Sequence, residues 1–206
     1  MAWIPSARAR LRAEFDRGSS SRAFHRLEPL GYARWKLRGE FRPAARLTLS
    51  GGAVMAENRN DTAGVNHDLD DRQASFQATW AASARLLLSG GYNFLRMRSS
   101  TDIVFFSLAR LTRGRSLYET NSHVAHADAQ VPLGPRLNLR LGYQAVKDTG
   151  SSWPLRLHAP RAGFALLVGK GVSLEADWQH YSYNENAFTP ADYRANILSS
   201  GLRFRF

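Results

Sequence analysis

The chain has 206 residues, of which 44% are apolar and 22% charged, with a formal net charge of +11 and no cysteine. The apolar residues are scattered: the longest runs, Ile103-Val104-Phe105-Phe106 and Phe164-Ala165-Leu166-Leu167-Val168, fall far short of the roughly 20 residues that a membrane-spanning helix needs. Absence of cysteine excludes disulfides, thiolate metal sites and covalent haem attachment.

Read for period two, the chain yields ten predicted strands. The first, near 9–15, alternates Ala9, Leu11, Ala13 and Phe15 with Arg10, Arg12 and Glu14. The second, near 33–41, places Ala33, Trp35, Leu37, Gly39 and Phe41 on one face and Arg34, Lys36, Arg38 and Glu40 on the other. The third (near 47–57) aligns Leu47, Leu49, Gly51, Ala53 and Met55, the fourth (near 73–80) Ala74, Phe76, Ala78 and Trp80, and the fifth (near 85–97) Leu86, Leu88, Gly90, Tyr92 and Phe94. The sixth, near 118–131, sets His123, Ala125, Ala127, Ala129 and Val131 against His126, Asp128 and Gln130. The seventh, near 136–146, aligns Leu137, Leu139, Leu141, Tyr143 and Ala145 against Asn138, Arg140 and Gln144. The eighth (near 160–168) carries Ala162, Phe164, Leu166 and Val168, and the ninth (near 172–183) sets Val172, Leu174, Ala176 and Trp178 against Glu175 and Asp177. The last, near 194–206, alternates Leu198, Ser200, Leu202, Phe204 and Phe206 with Ser199, Gly201, Arg203 and Arg205.

None of the apolar-phase positions named for these ten strands is Asp, Glu, Lys or Arg. The other phase carries nine basic residues (Arg10, Arg12, Arg34, Lys36, Arg38, Arg140, Arg161, Arg203, Arg205) against five acidic ones (Glu14, Glu40, Asp128, Glu175, Asp177). A charge facing lipid at mid-membrane costs about 2–4 kcal/mol, whereas a wet lumen tolerates it. The basic residues are therefore expected to line a lumen. A soluble sandwich also alternates, but the connections here are short and long in turn. Residues 42–45, 81–83, 132–135 and 169–171 are tight, whereas 16–31, 58–71, 98–115, 147–158 and 184–192 are long and polar. Aromatic residues fall near both strand ends, as in interfacial girdles. The fold class expected is all-β: an antiparallel up-and-down transmembrane β-barrel of about ten strands, one domain over 1–206.

The opening Met1-Ala2-Trp3-Ile4-Pro5 lacks the apolar core and cleavage site of a secretory signal. The expectation is a C-terminal part of a larger barrel, because an isolated piece would leave unpaired edges in lipid.

The end of the chain, Leu202-x-Phe204-x-Phe206, resembles the C-terminal signal of bacterial outer-membrane proteins. That resemblance implies recognition by the barrel-assembly machinery and a bacterial outer-membrane location. Leu141-Gly142-Tyr143, Lys147-Asp148-Thr149-Gly150, Trp178-x-x-Tyr181-x-Tyr183-x-Glu185 and Tyr193-Arg194-Ala195-Asn196 resemble the last hairpins of large porin-like barrels. Some of these sheathe multihaem cytochromes. The functions implied are a porin-like channel or transport pore, or alternatively a sheath for a multihaem cytochrome whose haem belongs to another chain.

Other chemistry is thinly represented, and no enzyme activity or cofactor is expected. Of six histidines, His123 and His126 are three apart, so a strand sends them to opposite faces; His126 and Asp128 share one. Asp61, Asp68, Asp70 and Asp71 crowd one connection without EF-hand spacing. Asp177 and His180 point apart, as do the adjacent Ser122 and His123, so no nucleophile meets a base. Gly169-Lys170-Gly171 lacks the rest of a phosphate loop. The pI of 10.8 raises a basic nucleic-acid binder, which would interleave aromatic and basic residues on one face; here they segregate, so no nucleic-acid partner is expected. The segment 99–117 is too apolar for a simple exposed loop. It is expected to extend the flanking strands above the membrane or to fold into the lumen, with Phe105, Phe106, Arg110, Arg113 and Arg115 as a constriction.

Overall fold

A computed structural model describes residues 2–6, 8–21, 28–107, 110–185 and 191–204. They form one antiparallel sheet of eleven strands in simple sequence order: β1 Ala2–Ser6, β2 Ala9–Ser19, β3 Gly31–Ala44, β4 Leu47–Asn60, β5 His67–Ser83, β6 Leu86–Ser107, β7 Arg110–Pro132, β8 Leu137–Asp148, β9 Leu155–Gly169, β10 Val172–Glu185 and β11 Tyr193–Phe204. All ten expected strands are present as β2–β11. At 11 to 23 residues each, they reach or exceed the roughly 9–11 that a tilted spanning strand requires. Among the described residues β1 and β11 make no contact, so these residues form an open arc rather than a closed ring.

The additional strand β1 pairs with β2 through Ala2↔Arg12, Trp3↔Leu11 and Ser6↔Ala9, with an irregularity between Trp3 and Ser6. Pro5 lies within that irregularity, where a missing N–H is tolerated at a sheet edge. Five residues with a proline carry no readable alternation.

The register joins the strands into two continuous faces. Directly opposed residues share a face, and the apolar phases fall opposite one another at each interface. One row runs Leu11↔Gly39, Gly39↔Gly51, Gly51↔Phe76 and Phe76↔Tyr92. Further along, Leu141↔Ala162, Ala162↔Trp178 and Trp178↔Leu198 lie in line. A slip of one residue along the body of an interface would reverse every face beyond it. From β2 to β11 the one-residue irregularities lie only beside short turns, between Phe41 and Ala44, Ala81 and Ser83, and Val172 and Ser173, and the strand bodies keep one register.

The apolar face is unpartnered. Ala159 is the only buried hydrophobic residue among those described, whereas Trp35, Leu37, Phe41, Met55, Phe76, Trp80, Leu141, Leu202 and Phe204 are all exposed. A chain this size folded in water would bury a core; continuous apolar surface on this scale requires another apolar medium. The soluble-sandwich alternative needs a second sheet against this face, and the described residues form one sheet.

Connections differ at the two ends. At one end β3–β4, β5–β6 and β9–β10 are joined by two residues each, and Gly171 takes φ of 73° in the last of these. The expected short connections are present but displaced toward the C-terminus: residues 42–44 belong to β3 and 81–83 to β5, and the turns fall at 45–46, 84–85 and 170–171. At the other end the wall is rimmed by polar contacts. Asn60 Nδ2 donates to Glu28 O at 2.8 Å, His67 Nδ1 lies 2.7 Å from Thr101 Oγ1, and Thr120 bonds Asp148. Asn60, His67, Thr120 and Glu185 are buried there.

One expected long connection is not a loop. β6 and β7 pair without interruption from Leu87↔Gln130 to Ser107↔Arg110. β5 pairs with β6 only as far as Ser100, and β8 with β7 only as far as Ser122. The segment therefore extends the flanking strands as a two-stranded ribbon, the first of the two arrangements expected. Its seven outermost rungs, Thr101↔Ser116 to Ser107↔Arg110, rise about 3.3 Å per residue. Phe105, Phe106, Arg110, Arg113 and Arg115 lie on this ribbon. A constriction built from these residues would have to be formed by the paired ribbon itself rather than by an unpaired loop.

Candidate functional site: the polar face of the sheet

The polar face is where the chain concentrates its chemistry, and its charges divide into two regions. On β2 and β3, Arg10, Arg12, Arg34, Lys36 and Arg38 stand together through Arg10↔Glu40, Arg12↔Arg38, Glu14↔Lys36 and Asp16↔Arg34. Glu14 is shared between Arg12 (2.6 Å) and Lys36 (3.9 Å). Glu40 is taken by Arg42 of the same strand at 2.7 Å. No ion pair among the described residues involves Arg10, Arg34 or Arg38. This edge of the face is a basic stripe.

On β8, β9 and β11 the basic residues of the polar face, Arg140, Arg161 and Arg203, are each matched. Arg140 donates through Nη2 to both carboxylate oxygens of Asp177 at 3.0 Å. Arg161 contacts Asp128 Oδ1 through Nη2 at 2.5 Å and Nε at 3.2 Å. Arg203 Nη2 reaches Glu175 Oε2 at 3.2 Å. Two of these pairs span an intervening strand at a glycine: Gly142 lies opposite both Asp128 and Arg161, and Gly163 opposite both Arg140 and Asp177. A Cβ at either glycine would fall on the bridging side chains.

Between these regions the face is small and neutral, with Ser50, Gly52, Ser75, Gln77, Gly91 and Asn93 in register. Concavities of about 890, 430 and 240 Å³ open here; the largest is bordered by Arg10, Arg12, Arg38, Gln77, Asn93 and His126, and the others by the paired charges of β7–β10.

The remaining residues singled out from the sequence fall as follows. His126 and Asp128 share the polar face, but Asp128 is engaged by Arg161 and the His126 ring lies over Gly91. Asp68, Asp70 and Asp71 are distributed along β5 with separate partners: Arg59 at 3.8 Å, Arg72 at 3.1 Å and Gln73 at 2.8 Å. Asp177 and His180 lie on opposite faces, Asp177 with Arg140 and His180 Nδ1 2.9 Å from Asn196 Oδ1. Leu202 and Phe204 are exposed on the apolar face of β11. Arg205 and Phe206 lie outside the described residues.

Sequence reasoning missed one recurring arrangement on the apolar face. Tyr92 OH lies 2.5 Å from His123 Nδ1, Tyr143 OH 2.6 Å from His158 Nδ1, and the Trp178 and His180 rings stack with centroids 6.3 Å apart. Each pair sits at the connection-rich end, where apolar residues give way to polar ones. The alternation of His123 with alanines was the only signal, since pairing partners 31 and 15 residues away depend on register.

No family model matches the chain, and no curated protein is similar to it in sequence. Solved structures are similar in fold. A variant of the ferric enterobactin receptor of Pseudomonas aeruginosa superposes with a TM-score of 0.65 at 12% identity, over 96% of this chain and 37% of the receptor. A porin gives 0.56 at 12% identity, over 100% of this chain and 60% of the porin. The ferric-catecholate import receptor Fiu of E. coli K12 gives 0.53 at 9% identity, over 98% of this chain and 47% of the receptor. The chain thus spans between about a third and three fifths of these proteins' lengths. Its strand order, register, exposed apolar face and structural neighbours together give it the antiparallel up-and-down fold of an outer-membrane β-barrel wall.

Proposed function

We propose that the chain forms part of the wall of a bacterial outer-membrane pore, with the apolar face against lipid and the polar face against a water-filled lumen that passes solutes. The observation that carries this reading is the shared register of the two phases along the strand bodies: exposed apolar surface on one side, and exposed arginines and ion pairs on the other. Ion pairs this exposed contribute little stability. They are compatible with water and not with hydrocarbon.

The lumen reading assigns a role to the asymmetry of the polar face. The pairs on β7–β11 cancel locally, whereas Arg10, Arg34 and Arg38 keep their charge. Charged groups lining a pore set ion preference, so the basic stripe favours anions. In the same reading, Leu202 and Phe204 of β11 belong to the strand that the barrel-assembly machinery recognises. The test is the reversal potential across planar bilayers holding the protein under a salt gradient. Anion preference supports the proposal; clear cation preference, or no conductance, contradicts it.

A further inference from the structure

The apolar face is not symmetric from end to end. On β8–β11 its phase carries no carboxylate, and its only charged residues, Lys147, Arg156 and Arg194, cluster at the end with the longer connections. Two of them are directly opposed, within a row that crosses four strands: His123↔Lys147, Lys147↔Arg156 and Arg156↔Asn184. Like charges opposed on neighbouring strands repel. No ion pair among the described residues involves Lys147 or Arg156, and both are exposed. The carboxylates that approach this region are otherwise engaged: Glu119 accepts from Ser151 Oγ at 3.1 Å, and Asp192 accepts from the Glu185 amide and Asn184 Nδ2.

The surroundings define what would relieve this repulsion. One step toward the apolar band, the next row holds Tyr92, Ala125, Ala145 and His158. Tyr92 fixes the His123 ring and Tyr143 the His158 ring. Beyond them Gly90, Ala127 and Ala129 continue a shallow strip. The ligand must therefore be anionic where it meets Lys147 and Arg156, and apolar where it passes the alanines.

We infer that Lys147 and Arg156, with His123 beside them, seat the phosphate of a phosphorylated lipid of the surrounding leaflet, whose acyl chain lies along Ala125, Ala127 and Ala129. A phosphate accepts several charge-assisted hydrogen bonds at once, and basic residues near a membrane surface hold anionic headgroups. The inference rests on the apolar face being the lipid face.

The test uses the full chain in neutral detergent micelles doped with lipid A, read by native mass spectrometry. The wild-type chain is expected to retain lipid A and not its dephosphorylated counterpart. Lys147→Gln with Arg156→Gln should lower retention about tenfold or more, at about 1 kcal/mol per basic residue near a membrane surface. Arg46→Gln with Arg85→Gln, which removes the same charge from turns at the opposite end, should leave it unchanged. The swap Lys147→Arg with Arg156→Lys keeps both charges and should also retain lipid, which separates loss of the site from loss of folding. Equal retention in the first double variant, equal retention of the dephosphorylated lipid, or displacement of lipid A by millimolar inorganic phosphate would each overturn the inference. A wild-type chain that stays folded without detergent overturns the membrane reading itself, an outcome distinct from these.

Discussion

Arg161 on β9 reaches Asp128 on β7 by passing over Gly142, the residue of β8 between them, and its Nη2 stands 2.5 Å from Oδ1. The contact exists because Gly142 offers no side chain to block it. A Cβ there would meet only movable side-chain ends, whereas a Cβ at Gly150 would meet the backbone of Glu119, Thr120 and Asn121. The same substitution should therefore have two outcomes. Gly142→Ala should displace an exposed pair at a cost of about 0–1 kcal/mol. Gly150→Ala should cost about 1–3 kcal/mol, because backbone must move. Urea unfolding midpoints in micelles would separate them, and equal midpoints would count against this assignment of glycine roles.

The basic stripe gives a second expectation. Replacing Arg10, Arg34 and Arg38 together by Gln should shift the reversal potential toward cations. Exchanging Arg140 and Asp177 should shift it far less, since the pair is preserved in reverse order. If both variants moved the potential alike, local cancellation on β7–β11 would not describe the pore.

The two faces of one hairpin should respond oppositely to the same residue. Leu37, between Trp35 and Phe41, is exposed on the apolar face, and Leu37→Arg there should destabilise by about 2–4 kcal/mol. Ser50 lies opposite Glu40 on the polar face, so Ser50→Arg gains a neighbouring carboxylate and should stay near wild-type stability. Folding titrations into lipid vesicles would measure both.

The β6–β7 ribbon should be separable from the wall. Asp102 and Arg115 are directly opposed, so replacing residues 103–114 by Asn-Gly closes a two-residue hairpin at a natural rung. The shortened protein should assemble, with single-channel conductance unchanged. A changed conductance would show that the ribbon's outer part bends over the pore.

Much of this architecture was legible in the sequence because alternation is a local signal. The ten strands β2–β11 follow from it, and so does the phase of each. Legibility ended where structure depends on register. The Asp128–Arg161 pair joins residues two strands apart, and period two places both on one face without saying that they meet. The strands also run past their expected ends, as β5 does from residue 73 back to His67, because above the apolar band both phases are polar and alternation vanishes. The ribbon was read as a connection for the same reason, since Ile103 to Phe106 and Arg110 to Arg115 do not alternate. The histidine–tyrosine pairs needed a register no single strand contains.

The central claim is that alternate residues of one strand face lipid and water, and the chain's lack of cysteine makes it directly measurable. Single cysteines placed in turn at positions 34–41 of β3, with the protein in lipid vesicles, would be reacted with a membrane-impermeant, water-soluble maleimide. Labelling is expected at 34, 36, 38 and 40, with 35, 37, 39 and 41 protected, a strict period of two. Uniform labelling along the strand, or labelling in the opposite phase, would contradict the account.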